Sequence, residues 1–187
     1  MLIGPGIGTD DTAKGLLQLV LTEYHGPVVL DADALNLIAA YPDELLIPKK
    51  DCVVTPHLVE MSRLTGMTVS EIRADLFGAA EAFAKKAGAV CVLKDARTVI
   101  AYPDGVSFLV ASGSSALATA GSGDVLSGII AALTVSGQKA ASSPKDGTRF
   151  AALGDLIHAC AGTAAGEALS ERTVTASDVI AQLHAFL

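Results

Sequence analysis

Apolar residues fall into two alternating patterns along this chain of 187 residues. Short continuous runs recur at Leu2-Ile3, Val28-Val29-Leu30, Cys52-Val53-Val54 and Ala89-Val90-Cys91-Val92-Leu93. They read as strands covered on both faces, as parallel sheets require. Between the first two runs, Ala13, Leu16, Leu17, Val20, Leu21 and Tyr24 follow helical spacing, with Thr9 or Asp10 placed as the cap. The same reasoning predicts a helix through Leu35, Leu37 and Ile38 that ends before Pro42, and another from His57 to Gly66. A longer helix is expected from Ser70 and Glu71 to about Gly88. Thr98–Ala101 and Val106–Val110 flank Pro103-Asp104-Gly105, a hairpin signal.

Beyond Val110 the pattern changes. A loop of small residues from Gly113 to Gly123 leads into a helix near Asp124, and residues 136–147 read as a polar loop. Two helices close the chain, the last with Val179, Ile180, Leu183 and Leu187 on one face and Thr175 with Asp178 as a capping box. Parallel strands alternating with helices predict one α/β domain over residues 1–187 with a mostly parallel central sheet. The first strand is short: three residues precede Gly4-Pro5-Gly6-Ile7-Gly8. Either the fold starts there, or the chain begins partway into a larger domain.

Charge narrows the function. Thirteen basic against twenty acidic residues give a net charge of −7, which argues against a nucleic-acid binder. An aromatic content of 4% without Trp argues against base-stacking modules. With 51% hydrophobic and 18% charged residues the chain is not disordered. It shows neither a membrane-length apolar run nor a signal-peptide pattern, so no membrane partner is expected. Cys52, Cys91 and Cys160 form no CxxC pair and read as reduced thiols. The expectation is a soluble cytoplasmic domain.

The stretch Ser112 to Leu126 holds the strongest chemical signal. Its small residues end in Gly121-Ser122-Gly123-Asp124 at the start of an apolar helix. A helix N-terminus with flanking glycines offers free N–H groups to an anion. Asp124 read only as a helix cap, worth roughly 1 kcal/mol, leaves the long approach loop unexplained. No P-loop, GxSxG elbow, HExxH or paired-Cys zinc motif is present, and Gly4 to Gly8 lacks the third glycine of a dinucleotide fingerprint.

Five segments in order resemble the ADP/ATP-dependent NAD(P)H-hydrate dehydratases of the ribokinase-like superfamily. They are Ile3–Gly8, Val29–Asn36, Val54–His57 with Glu60-Met61, Val92–Lys94 through Thr98–Ala101, and Ala118–Gly128. The resemblance implies a three-layer α/β/α fold and a lyase that repairs hydrated NADH or NADPH. ADP or ATP phosphorylates the hydroxyl of the hydrate, and phosphate then leaves. It implies Asp124 as catalytic base, with Gly121, Ser122 and Gly123 around the transferring phosphoryl group. The nucleotide falls to Lys94, Asp95, Ala96, Arg97, Thr98 and Gly123, and the hydrate to Gly6, Gly8, Asn36, His57, Glu60 and Asp124. Mg2+ accompanies the nucleotide without assigned protein ligands, and a homo-oligomer is expected, a tetramer being one form. Asp31 and Asp33 either hold magnesium-bound water or cap the next helix. His25, His158 and His184 read as structural or surface residues.

The chain also departs from the family pattern. It has Ser114-Ser115-Ala116 where the family often has Asn-Pro-Gly, Leu58-Val59 for Pro-Gly, and Asp95 for a common glycine. Roughly the first third of the family's domain has no counterpart before Met1. Two other readings use the same residues: a kinase of the superfamily that stops at the phosphoester, and a nucleotide-binding remnant without turnover.

Overall fold

The structure, a computed structural model, describes residues 1–49, 51–140 and 148–187, with the backbone alone for 138–140. Four strands are parallel neighbours in chain order: β1 (Leu2–Ile3), β2 (Val28–Leu30), β3 (Cys52–Val54) and β4 (Val90–Leu93). The hairpin strands β5 (Thr98–Ala101) and β6 (Ser107–Val110) continue the same sheet antiparallel. The sheet is therefore mostly parallel, as the hydrophobic runs predict.

Parallel strands laid side by side in sequence, joined by right-handed crossovers, send every connecting helix to one face. That face carries α1 (Asp11–Glu23), α2 (Asp33–Ala40), α3 (Leu58–Thr65), α4 (Val69–Ala74) and α5 (Leu76–Ala87). Their buried side chains pack with Leu30, Val54, Cys91 and Leu93. The alternate strand positions, Val29, Val53, Val90 and Val92, point the other way and meet Leu126, Ile130, Ala151 and Ala159. These come from α6 (Ser122–Ala140) and α7 (Ala151–Leu169), which make the third layer. Each such side chain, fully buried, contributes roughly 1.5–3 kcal/mol. A short helix, α8 (Ala176–Gln182), follows with the expected Thr175–Asp178 capping box.

Several local expectations change. Asp10 caps α1 through Ala13 N–H at 2.9 Å, but Leu16 on the expected apolar stripe is exposed. The helix expected from Ser70 to Gly88 is two helices. It breaks at Asp75, whose carboxylate caps α5 through Gly78 N–H at 2.8 Å. The polar loop expected over 136–147 is helical through Ala140, because α6 continues to that residue; the rest lies outside the described residues. Within the small-residue loop, Ser115–Leu117 forms a single 3-10 turn. Among the described residues no helix is long and apolar enough to cross a membrane.

Candidate active site

The chain turns at the carboxyl ends of β1–β4 gather most of the residues singled out by sequence. Open α/β sheets bind ligands at these ends. Gly4, after β1, has φ +134, and a side chain there would strike the Asp31 carbonyl oxygen. After β2, Ala32 sits at φ 49, ψ −118, which places two aspartates on either side of a strained residue. Asp33 accepts from Gly8 N–H at 3.0 Å and ties the first Gly-rich turn to α2. Asp31, 1% exposed, accepts from Ala32 N–H and from Lys94 Nζ, both at 2.9 Å. Its carboxylate is therefore an ion-pair partner.

Lys94 directly follows β4, where its N–H donates to the Pro56 carbonyl at 2.8 Å. A methyl group added at Gly123 would stand 3.6 Å from Lys94 Nζ, so the ammonium lies beside the opening turn of α6. First-turn amides of a helix have no acceptor within it. Of the three amides expected to converge there, the Ser122 N–H is already donated to the Thr119 carbonyl at 3.2 Å. Gly121 holds the left-handed conformation, φ +82, that lets the loop turn into the helix.

A cavity of about 690 Å³ opens in front of Lys94. Its walls include Lys94, Asp95, Ala96, Thr98, Ser122 and Gly123. The loop from Ser112 to Thr119 covers one side, and Ser114 and Ser115 donate hydroxyl hydrogens to Glu171, the first of these at 2.6 Å. Those bonds hold the Glu171 carboxyl below its ordinary pKa. From α7, Asp155 and His158 face the same space at 4% and 6% exposure. Burial pushes the Asp155 carboxyl up to about 6, opposed by the Thr98 hydroxyl and the Lys94 charge. Burial likewise drives His158 down to about 4, so its ring is neutral at pH 7. His158 Nε2 lies 3.1 Å from Ser122 Oγ.

A family model described as NAD(P)H-hydrate dehydratase matches residues 1–184. The chain belongs to the NAD(P)H-hydrate dehydratase family. It is 40% identical over 169 residues to an ADP-dependent (S)-NAD(P)H-hydrate dehydratase of Neisseria meningitidis, covering 88% of this chain and 57% of that protein. A bifunctional NAD(P)H-hydrate repair enzyme Nnr of Moorella thermoacetica is 40% identical over 96% of this chain and 33% of its own length. The crystal structure of an ADP/ATP-dependent NAD(P)H-hydrate dehydratase from Bacillus subtilis, grown with ATP/Mg2+ and soaked with CoA, superposes with a TM-score of 0.80 at 31% identity. It covers 98% of this chain and 63% of that one. A ribokinase-like superfamily protein of Enterococcus faecalis gives a TM-score of 0.82 at 28% identity, over 99% of this chain and 61% of that one. The chain thus spans less than two thirds of the length of each of these relatives, and its sheet is the ribokinase-like three-layer fold.

Within the dehydratase fold, the residues expected for the nucleotide largely share the cavity; Arg97 does not line it and is exposed. Asp124 stands in the first turn of α6 and is exposed, outside the lining next to Gly123. Its carboxylate therefore stands beside the cavity rather than in its wall. Of the residues expected to hold the hydrate, His57 lines the cavity, while Gly6, Gly8, Asn36 and Glu60 do not. Asn36 accepts from Arg63 at 2.6 Å. His57 and Glu60 form a capping box on α3, in which His57 Nδ1 accepts two amide hydrogens and Glu60 accepts from His57 N–H at 2.8 Å. Burial raises the Glu60 pKa against that bond and the nearby Lys94 charge.

His25 and His184 are exposed, whereas His158 is buried and forms part of the cavity wall. Asp155 went unnoticed in the sequence. The signal was available: a carboxyl and an imidazole three residues apart share one face of a helix otherwise rich in Ala, Gly and Leu.

Proposed function

We propose that this chain carries out the nucleotide-dependent dehydration of hydrated NADH or NADPH, restoring the reduced cofactor. The placement of Lys94 carries the reading. Its ammonium, fixed by Asp31, stands at the start of α6 inside a cavity large enough for a nucleotide, in a chain of this family. A lysine charge beside free helix amides is a seat for terminal phosphates. The Neisseria relative is named ADP-dependent and the Bacillus one ADP/ATP-dependent, which supports ADP or ATP as the co-substrate.

In this reading Asp124 takes the proton of the hydrate's hydroxyl as that oxygen attacks the terminal phosphoryl group. The bond from phosphorus to the bridging oxygen of the nucleotide breaks. Lys94 and the Gly123 amide hold the charge that spreads over the transferring oxygens. Phosphate then leaves with the electrons of the carbon–oxygen bond, the neighbouring ring carbon releases a proton, and the double bond re-forms. An exposed Asp124 suits this order, since a second large substrate must reach it from outside the nucleotide cavity. Gly6, Gly8, Asn36, His57 and Glu60, on segments at the strand ends, are assigned to the hydrate side.

Magnesium, when bound, neutralises phosphate charge. It uses one or two carboxylates with phosphates and water. Among the described residues no cluster of three His, Cys, Asp or Glu forms a cage, and Asp31 is engaged by Lys94. We therefore assign the ion to the nucleotide phosphates. The reading also includes a cytoplasmic, self-associating protein, which sedimentation of the purified chain tests.

The decisive assay incubates the chain with hydrated NADH and ADP or ATP. NADH absorbance should return, and Asp124→Asn should lower kcat about 10²–10⁴-fold while nucleotide still binds. A stable phosphoester accumulating instead makes the protein a kinase. Nucleotide binding without turnover makes it a remnant.

A further inference from the structure

Two acids line the cavity, and they differ. Asp95 lies 3.5 Å from Arg73 in an ion pair at the mouth. Asp155 is 96% removed from solvent on α7 and has no cationic side chain in salt-bridge contact among the described residues. A carboxyl in such a place loses hydration at a cost; the Thr98 hydroxyl bonds to it, and a carboxylate has further acceptor pairs beyond that one bond. The groups facing it are Lys94 at the end of β4, Thr98 at the start of β5, and His158 one turn on along α7; the first turn of α6 contributes Ser122 and Gly123. None of these supplies a vicinal diol, the group that two acceptor oxygens of one carboxylate take together. The cavity can admit one.

We propose that Asp155 is a specificity-determining residue that accepts hydrogen bonds from the ribose hydroxyls of the bound nucleotide. The inference rests on the nucleotide reading above. Position argues for the sugar. Lys94 and the start of α6 mark the anion end, and His158 meets that end through Ser122 Oγ. Asp155 precedes His158 by three residues, roughly 4.5 Å along the helix axis. A phosphate chain seated at the anion end brings its sugar, not its base, to that distance. Chemistry agrees: a carboxylate has acceptor pairs for a vicinal diol, whereas it repels a phosphate. The neutral His158 ring adds no compensating charge at pH 7.

Calorimetric titration of the full chain with four probes tests this: ADP, 2′-deoxy-ADP, 3′-deoxy-ADP and pyrophosphate. The wild type should bind ADP about tenfold or more tightly than either deoxy analogue, the range for a hydrogen bond to a charged group. Asp155→Asn should bring ADP down to the deoxy level and leave pyrophosphate within about twofold. Its melting temperature reports that the fold is kept, and Asp155→Ser replaces it if it is not. The ADP advantage of wild type over Asp155→Asn should also grow from pH 5 to 7.5 as the carboxyl ionises. Equal discrimination in Asp155→Asn overturns the proposal and leaves the nucleotide reading standing. An advantage that shrinks over that pH range also overturns it, because the carboxyl then faces phosphate. If no nucleotide binds the wild type, both readings fall.

Discussion

At the scale of single residues the site is a set of opposed electrostatic costs. Lys94 keeps about a fifth of its side chain exposed while Asp31 is buried, so removing the acid strands a cation. Asp31→Ala should therefore destabilise the fold by about 2–4 kcal/mol, toward the low side of a fully buried pair. It should weaken nucleotide binding as well; urea unfolding and titration read the two effects. Asp155 and His158 make opposite demands on pH. Because burial lifts the Asp155 pKa to about 6, the folded state keeps that proton longer, and stability falls as pH rises from about 4 to 6. Relative to wild type, Asp155→Asn should gain over that interval, by at most about 3 kcal/mol. His158, lowered to about 4, costs stability as pH falls below 6.5. His158→Gln should therefore gain relative to wild type toward pH 4. Denaturant unfolding across that range checks both signs. Gly121 to Asp124 were legible from sequence because a helix start writes its requirements into adjacent residues. The shared helix face of Asp155 and His158 was legible in their spacing, but their meeting with Thr98 and Ser122 was not, since it depends on how α7 crosses the sheet.

At the scale of elements, the strands announced themselves because burial on both faces demands unbroken apolar runs. The helices were legible in type and less so in extent. Asp75 shows why: no proline or glycine marks the break, and the side chain itself competes for the Gly78 amide at 2.8 Å. Asp75→Ala should cost about 1 kcal/mol in denaturant midpoint and leave nucleotide binding intact. The loop over the cavity depends on a partner distant in sequence. Ser114 and Ser115 stand where the family often has another triplet, and their hydroxyls meet Glu171 beyond the end of α7. Glu171→Gln should loosen that wall and weaken ADP binding several-fold, with little change in melting temperature, as titration and a thermal scan would show.

For the whole molecule, fold class followed from the order of elements, and the cleft followed from the rule that open sheets bind at strand ends. A ligand that binds only the folded form stabilises it, by about 2.7 kcal/mol at a hundredfold excess over Kd. ADP with magnesium should thus raise the melting temperature by several degrees, and Lys94→Ala should abolish most of that shift. The strand order has its own outcome during synthesis. Because the sheet is laid down in the order of translation, the panel of Val29, Val53, Val90 and Val92 is finished before its cover, α6 and α7, has left the ribosome. A growing polypeptide therefore presents an apolar wall to solvent until α6 and α7 emerge. That interval invites chaperone capture, and the walls of the cavity that α6 and α7 supply close only after the sheet is made.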